Sequence, residues 1–184
     1  MIEYLATRAA ALSPAEIRAR VRAAMEEFEA AFADLSEEDA RTRPIAGKWA
    51  IGEVLDHVAQ SQVRAAEELR HLVAGRRPPL PPVYEALRSG APAWAPLEQL
   101  IADVREANRA LLDAIPVESD SEAKGVAVIV ANSKLADGSV KPQIFLHDVN
   151  WREYALLQRL HLLDHRRQIR ELREAISAGA RPRT

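Results

Sequence analysis

The 184-residue chain contains no cysteine, which excludes a disulfide framework, a thiolate metal site and a cysteine nucleophile together. Any metal held by its side chains is held by nitrogen and oxygen. Long apolar runs are missing too: the longest, Val126 to Ala131, falls far short of the roughly twenty residues that span a bilayer. The opening stretch Met1-Ile-Glu-Tyr-Leu-Ala-Thr-Arg8 lacks the basic-then-apolar order of a secretion signal. A cytoplasmic location and no membrane partner are therefore expected. Aromatic residues make up only 5% and the formal net charge is −2, so neither stacking platforms nor a basic footprint marks a nucleic-acid surface.

What is present is the balance of a globular chain, 48% hydrophobic and 28% charged, at a length close to the usual figure of about 150 residues for one domain. A single domain over 1–184 is expected. Ser13-Pro14-Ala15-Glu16 has the layout of a capping box with proline at the first helical position. Behind it Ile17, Val21, Met25, Phe28, Phe32 and Leu35 recur at helical spacing, which predicts a first helix over 14–34. A second stripe, Ile51, Leu55, Val58, Gln62, Ala65, Leu69 and Leu72, carries one polar break and ends near 74, where Gly75 can cap and Pro78, Pro79, Pro81 and Pro82 forbid continuation. Leu97 to Ile115 gives a third amphipathic helix, closed by Pro116.

Residues 117–149 read differently, with β-branched Val126-Ala-Val-Ile-Val130, the turn dipeptide Asp137-Gly138, and Ile144-Phe145-Leu146. Asn150 can then cap a long last helix whose pattern reaches Ile176 before Gly179. The predicted fold is all-α, an antiparallel four-helix bundle with a short β-hairpin or ordered loop inserted before the last helix.

The last helix contains His161-Leu-Leu-Asp-His165, and residues four apart stand one turn above each other. Tyr154, Leu157, Gln168 and Leu172 share their side of the helix, so the pair points into the bundle. Unpaired buried polar groups cost about 1–3 kcal/mol each, and one divalent metal would satisfy both rings. Spacing alone fits a chance pair on a surface helix as well; the inward placement favours the metal. A third ligand is needed, and His57 on the second helix is the natural candidate. Three imidazoles leave a coordination position open, the layout of a catalytic rather than a closed site.

Other patterns fall away. The resemblance of His161 to His165 to an inverted zincin motif lacks the glutamate base and the distant acidic ligand. Glu68-Leu-Arg-His71 has di-iron spacing but no second copy, and His71 lies about 21 Å along the helix from His57. Arg166, Arg167, Arg170 and Arg173 read as a paired face, with Glu171 and Glu174 as i,i+4 partners of Arg167 and Arg170. Leu156, Leu160 and Leu163 oppose the histidines and suit a second helix or a dimer seam. Gln158, Gln168, Asp164, Tyr154 and Glu53 are candidates to support the ligands, Glu53 first because it lies one turn before His57.

Two blocks carry a family resemblance: Gly47-Lys48-Trp49-Ala50-Ile51-Gly52-Glu53-Val54-Leu55-Asp56-His57 at the opening of the second helix, and His161-Leu-Leu-Asp-His165-Arg-Arg-Gln168-Ile169 on the last. With them the chain resembles the DinB-like superfamily of metal-binding four-helix bundles, which includes bacterial thiol S-transferases and mycothiol-dependent maleylpyruvate isomerase. The resemblance spans about residues 14 to 177. It implies a zinc, nickel or iron ion on His57, His161 and His165, and frequently a homodimer. The expected function is a metal-dependent enzyme, a hydrolase or thiol S-transferase, in which the ion activates water or a thiol for a small-molecule substrate, with Glu53 as a supporting catalytic residue. Lacking cysteine, the chain would draw any thiol from a low-molecular-weight cofactor, a point that rests on the resemblance. The alternative is a non-catalytic metal-binding or stress-related interaction protein of the same fold.

Overall fold

The computed structural model describes residues 2–134 and 140–179. Six α-helices, a 3-10 turn and a two-stranded sheet follow in order: α1 (Ile2–Ala11), α2 (Pro14–Ala30), α3 (Glu37–Arg41), α4 (Ile51–Val73), the turn Ala91–Ala93, α5 (Leu97–Ala114), β1 (Gly125–Lys134), β2 (Val140–Val149) and α6 (Trp151–Ser177). Helices α2, α4, α5 and α6 form the bundle, and β1 pairs antiparallel with β2 from Gly125↔Val149 to Lys134↔Val140. This is the all-α bundle with a hairpin before its last helix that the patterning predicts. The Asp137-Gly138 turn lies outside the described residues. Among those residues, no helix is long and apolar enough to cross a membrane.

Local chemistry sets the helix ends. Ser13 and Glu16 form the capping box of α2, with Glu16 accepting from the Ser13 N–H at 2.8 Å. Asn150 and Glu153 do the same for α6. Gly75 follows α4 at φ +73°, the left-handed region that closes helices and favours glycine. Helix α2 stops at Ala30 rather than 34, because the Ala31 and Phe32 N–H groups bond three residues back, to Phe28 and Glu29, and Ser36 caps α3 just beyond. Helix α1 was not expected. It buries only Leu5 and Ala9, too few positions to show a period.

Cross-bundle contacts fix the helix directions. Arg18 meets the Ile115 carbonyl while Glu29 meets Asn108, so α2 and α5 run antiparallel. His57 meets His161 while Glu68 meets Tyr154, so α4 and α6 do too. Arg152 reaches the Leu12 carbonyl and Arg173 that of Ala31, which makes α2 and α6 parallel. Gly52 lies against Leu100 and Arg70 reaches the Ala110 carbonyl, so α4 and α5 are parallel as well. Parallel neighbours need a long return, which residues 74–96 provide between α4 and α5.

The predicted stripes form the core: Ile17, Val21, Phe28, Phe32, Leu55, Val58, Leu69 and Leu111 are all fully buried. Leu156 is buried, and Leu160 and Leu163 pack against the core from its edge, so this side of α6 is covered within the chain. Gln62, the polar break, is also fully buried, and neither atom of its amide has a partner among the described residues. An unmet buried polar group costs about 1–3 kcal/mol. Gln62→Leu is therefore expected to raise the urea unfolding midpoint by the equivalent of about 1 kcal/mol or more; a lower midpoint would show that the amide has a partner.

Candidate metal centre

Antiparallel packing of α4 on α6 brings the second turn of one helix opposite the middle of the other. His57 is buried, and His161 and His165 are partly buried. The Nε2 atom of His161 lies 3.2 Å from Nε2 of His57 and 3.0 Å from Nε2 of His165. One nitrogen from each ring falls within 4.8 Å of the other two. The ring centroids are 4.4 to 5.2 Å apart, each pair edge to face. All three sequence-predicted histidines thus meet at one point.

The outer nitrogens decide what the inner ones carry. His57 Nδ1–H donates to the Leu87 carbonyl at 2.9 Å, with Ser61 Oγ at 3.5 Å, and His165 Nδ1–H donates to Gln168 Oε1 at 2.8 Å. A neutral imidazole protonated at Nδ1 presents a bare lone pair at Nε2. Two such lone pairs therefore face the Nε2 of His161. That ring's Nδ1 is buried without a partner among the described residues.

Burial is the first cause that lowers all three imidazoles below the ordinary histidine value, to about 4 for His165 and well below for His161. Mutual repulsion between the rings adds to it for His161 and His165. The rings are therefore neutral at neutral pH, the state in which imidazole binds metals. The spacing fits as well: donors 2.0–2.1 Å from a common ion at octahedral or tetrahedral angles lie about 2.9–3.4 Å apart. The residues present suit a divalent cation of the nitrogen-binding kind.

The surrounding candidates divide. Gln168 touches a ligand ring. Glu53 does not reach the cluster: its carboxylate accepts from the Ala50 N–H at 2.8 Å, pairs with Arg43 at 2.8 Å and lies 3.6 Å from Arg88. Arg88 in turn lies over Trp49, whose ring packs edge-on against His57. Tyr154 donates to Glu68, which also accepts from Arg64 at 2.8 Å. Burial and the Glu68 charge raise the Tyr154 phenol well above its usual value. Asp164 pairs outward with Arg167. Three of the four arginines are paired, two of them across the bundle: Arg166 with Glu27, Arg173 with Asp34, and Arg167 with Asp164 on its own helix, while Glu171 pairs with Lys48 and no ion pair joins Arg170 to Glu174 among the described residues. Those partners replace the expected i,i+4 pairing of Arg167 with Glu171. The Leu87 carbonyl was missed, since a backbone acceptor on a loop carries no side-chain signal.

Neutral imidazoles converging from two helices of a bundle fit a metal-binding type of helical protein. The chain belongs to the DinB superfamily, whose sequence model matches residues 20–169. The match takes in His57, His161 and His165. No curated protein and no solved structure matches the chain.

With pKa values depressed in the fold, the metal-free folded chain binds fewer protons than the unfolded chain between about pH 4 and 6.5. The contribution to stability is present above about 6.5 and is lost as the pH falls toward 4. The urea midpoint of metal-free protein should therefore fall between pH 6.5 and 5, and His165→Gln should flatten that decline. Equal slopes would contradict the burial of a neutral ring.

Proposed function

We propose that His57, His161 and His165 hold one divalent cation through their Nε2 atoms and that the protein is a metal-dependent enzyme acting on a small molecule. The observation that carries this reading is the pair of Nδ1–H bonds, to Leu87 and Gln168, that leaves two lone pairs aimed at a third ring 3.0 and 3.2 Å away. Lone pairs held that close repel unless something positive lies between them. A shared proton satisfies only two nitrogens at a time. A cation satisfies all three.

When bound, such an ion supplies Lewis acidity, which makes water or an incoming thiol a nucleophile near neutral pH. The chain's own part is to bind and orient. Its three uncharged ligands leave the full ionic charge available to an incoming anion, unlike a thiolate or carboxylate set. Gln168 and Leu87 fix ring orientation. Glu53 acts at a remove, holding Arg88 over Trp49 and so the ring that packs on His57. The reaction class is hydrolysis or thiol S-transfer, and with no cysteine in the chain the thiol is a low-molecular-weight cofactor. Zinc, nickel and iron all suit nitrogen donors. A homodimer, implied by the family resemblance, and a cytoplasmic location, expected from the sequence, complete the reading.

Freshly purified protein should carry about one equivalent of metal by elemental analysis, and His161→Ala should lose most of it while remaining helical. Equal metal in both would remove the basis of the proposal. Screening thiol transfer and ester hydrolysis with each ion then tests the enzyme reading; full occupancy with no turnover would point instead to a non-catalytic metal-binding protein.

A further inference from the structure

Asp56 immediately precedes His57, yet it takes no part in the imidazole cluster. It is 3% exposed, and both carboxylate oxygens are used by one residue of the α4–α5 connection: Ser89 N–H donates to Oδ2 at 2.9 Å and Ser89 Oγ–H to Oδ1. The Ser89 hydroxyl also accepts from the Ala91 N–H at 3.0 Å, so it is held from both sides. Gly90, at φ +82°, then turns the chain into the 3-10 turn. A carboxylate taken out of water needs strong compensation, and an apolar residue would fill the same place at lower cost. What the carboxylate adds is position.

The segment so fixed carries the Leu87 carbonyl, two residues before Ser89 and 2.9 Å from His57 Nδ1. The other anchors of this connection lie to either side of Leu87: Arg88 lies over Trp49 and 3.6 Å from Glu53, Arg41 reaches the Pro92 carbonyl at 2.9 Å, and Arg64 reaches the Pro81 carbonyl several residues earlier. His165 draws its acceptor from its own helix, three residues on. His57 alone depends on a loop. An imidazole without a fixed acceptor at Nδ1 samples both tautomers, and in one of them Nε2 carries the proton and cannot bind a cation. Ser61 Oγ, at 3.5 Å, is at the limit of hydrogen bonding and is a poor substitute.

We propose that Asp56 is a positioning residue: through Ser89 it fixes the Leu87 carbonyl that holds His57 as the Nδ1–H tautomer, with Nε2 free to bind the cation. The functional consequence rests on the cation reading above, whereas the tautomer itself does not.

The test uses the full chain. Nitrogen-15 NMR of the metal-free protein reads the His57 tautomer directly, and zinc titration against a competing chelator reads affinity. The wild type should show a single Nδ1–H form. Asp56→Ala should give mixed tautomers and zinc binding weaker by about 10–100-fold, with Asp56→Asn, which keeps one acceptor, in between. Ser89→Ala, which retains the backbone N–H bond, should show a smaller change in the same direction. Should Asp56→Ala fail to fold, the Asn and Ser89 variants carry the test. Glu16→Ala at the start of α2 is the control for lost stability, and it should leave tautomer and affinity unchanged. An unmixed tautomer and wild-type affinity in the Asp56 and Ser89 variants would overturn the inference, as would equal effects in the Glu16 control. Failure of the wild type to bind zinc would instead remove the cation reading and leave the tautomer to decide the positioning role.

Discussion

Three uncharged imidazoles are held edge to face in the seam between α4 and α6, with nitrogens 3.0 and 3.2 Å apart, and the surrounding structure is arranged around that crowding. Two of the rings cannot turn their lone pairs away, because their outer N–H groups are fixed by Leu87 and Gln168. The third is clasped between them with its outer nitrogen buried. In a folded chain this is a local electrostatic penalty that the proposed cation would convert into a gain, since the same burial that keeps the rings neutral would also strengthen the ion–dipole attraction between them. On that reading site and stability are linked: what burial costs without a metal would be returned when one binds.

The fold supplies the crowding through helix direction. Because α4 and α6 run antiparallel, the second turn of α4 meets the middle of α6, and a second polar contact, Tyr154 with Glu68 and Arg64, lies further along the same seam. Among consecutive bundle helices only α4 and α5 run parallel, so the chain returns the length of the bundle once, and that return brings Leu87 over His57; the segment with the hairpin joins the end of α5 to the start of α6 at one end of the bundle. The loop that the topology makes necessary is thus the one that supplies a hydrogen-bond acceptor to the site. Ion pairs bridge the same elements, as with Lys48 beside Trp49 and Glu171 on α6, but both partners are about half-exposed and such pairs contribute little to stability.

Much of this was legible from residue order. The stripes on α2, α4 and α5 named the core, because burial selects a 3.6-residue period, and Ser13, Gly75 and Asn150 marked helix ends through backbone chemistry that few other residues can perform. The His161–His165 pair was readable because four-residue spacing fixes a shared face. What stayed hidden depends on tertiary placement. Glu53 sits one turn from His57 on the helix, but its carboxylate faces the helix start and two arginines. Arg167 pairs back along its own helix with Asp164, and Glu171 is taken by Lys48 from the segment before α4. Leu87 acts through its backbone, which any residue could offer, and Asp56 acts through that same loop.

The convergence of the three rings on one ion is tested most directly by X-ray absorption at the metal edge of zinc-reconstituted protein. Three imidazole nitrogens at about 2.0–2.1 Å, with a remaining oxygen donor, is the result expected. A spectrum with one imidazole or none, the ion surrounded by oxygen, would contradict the account.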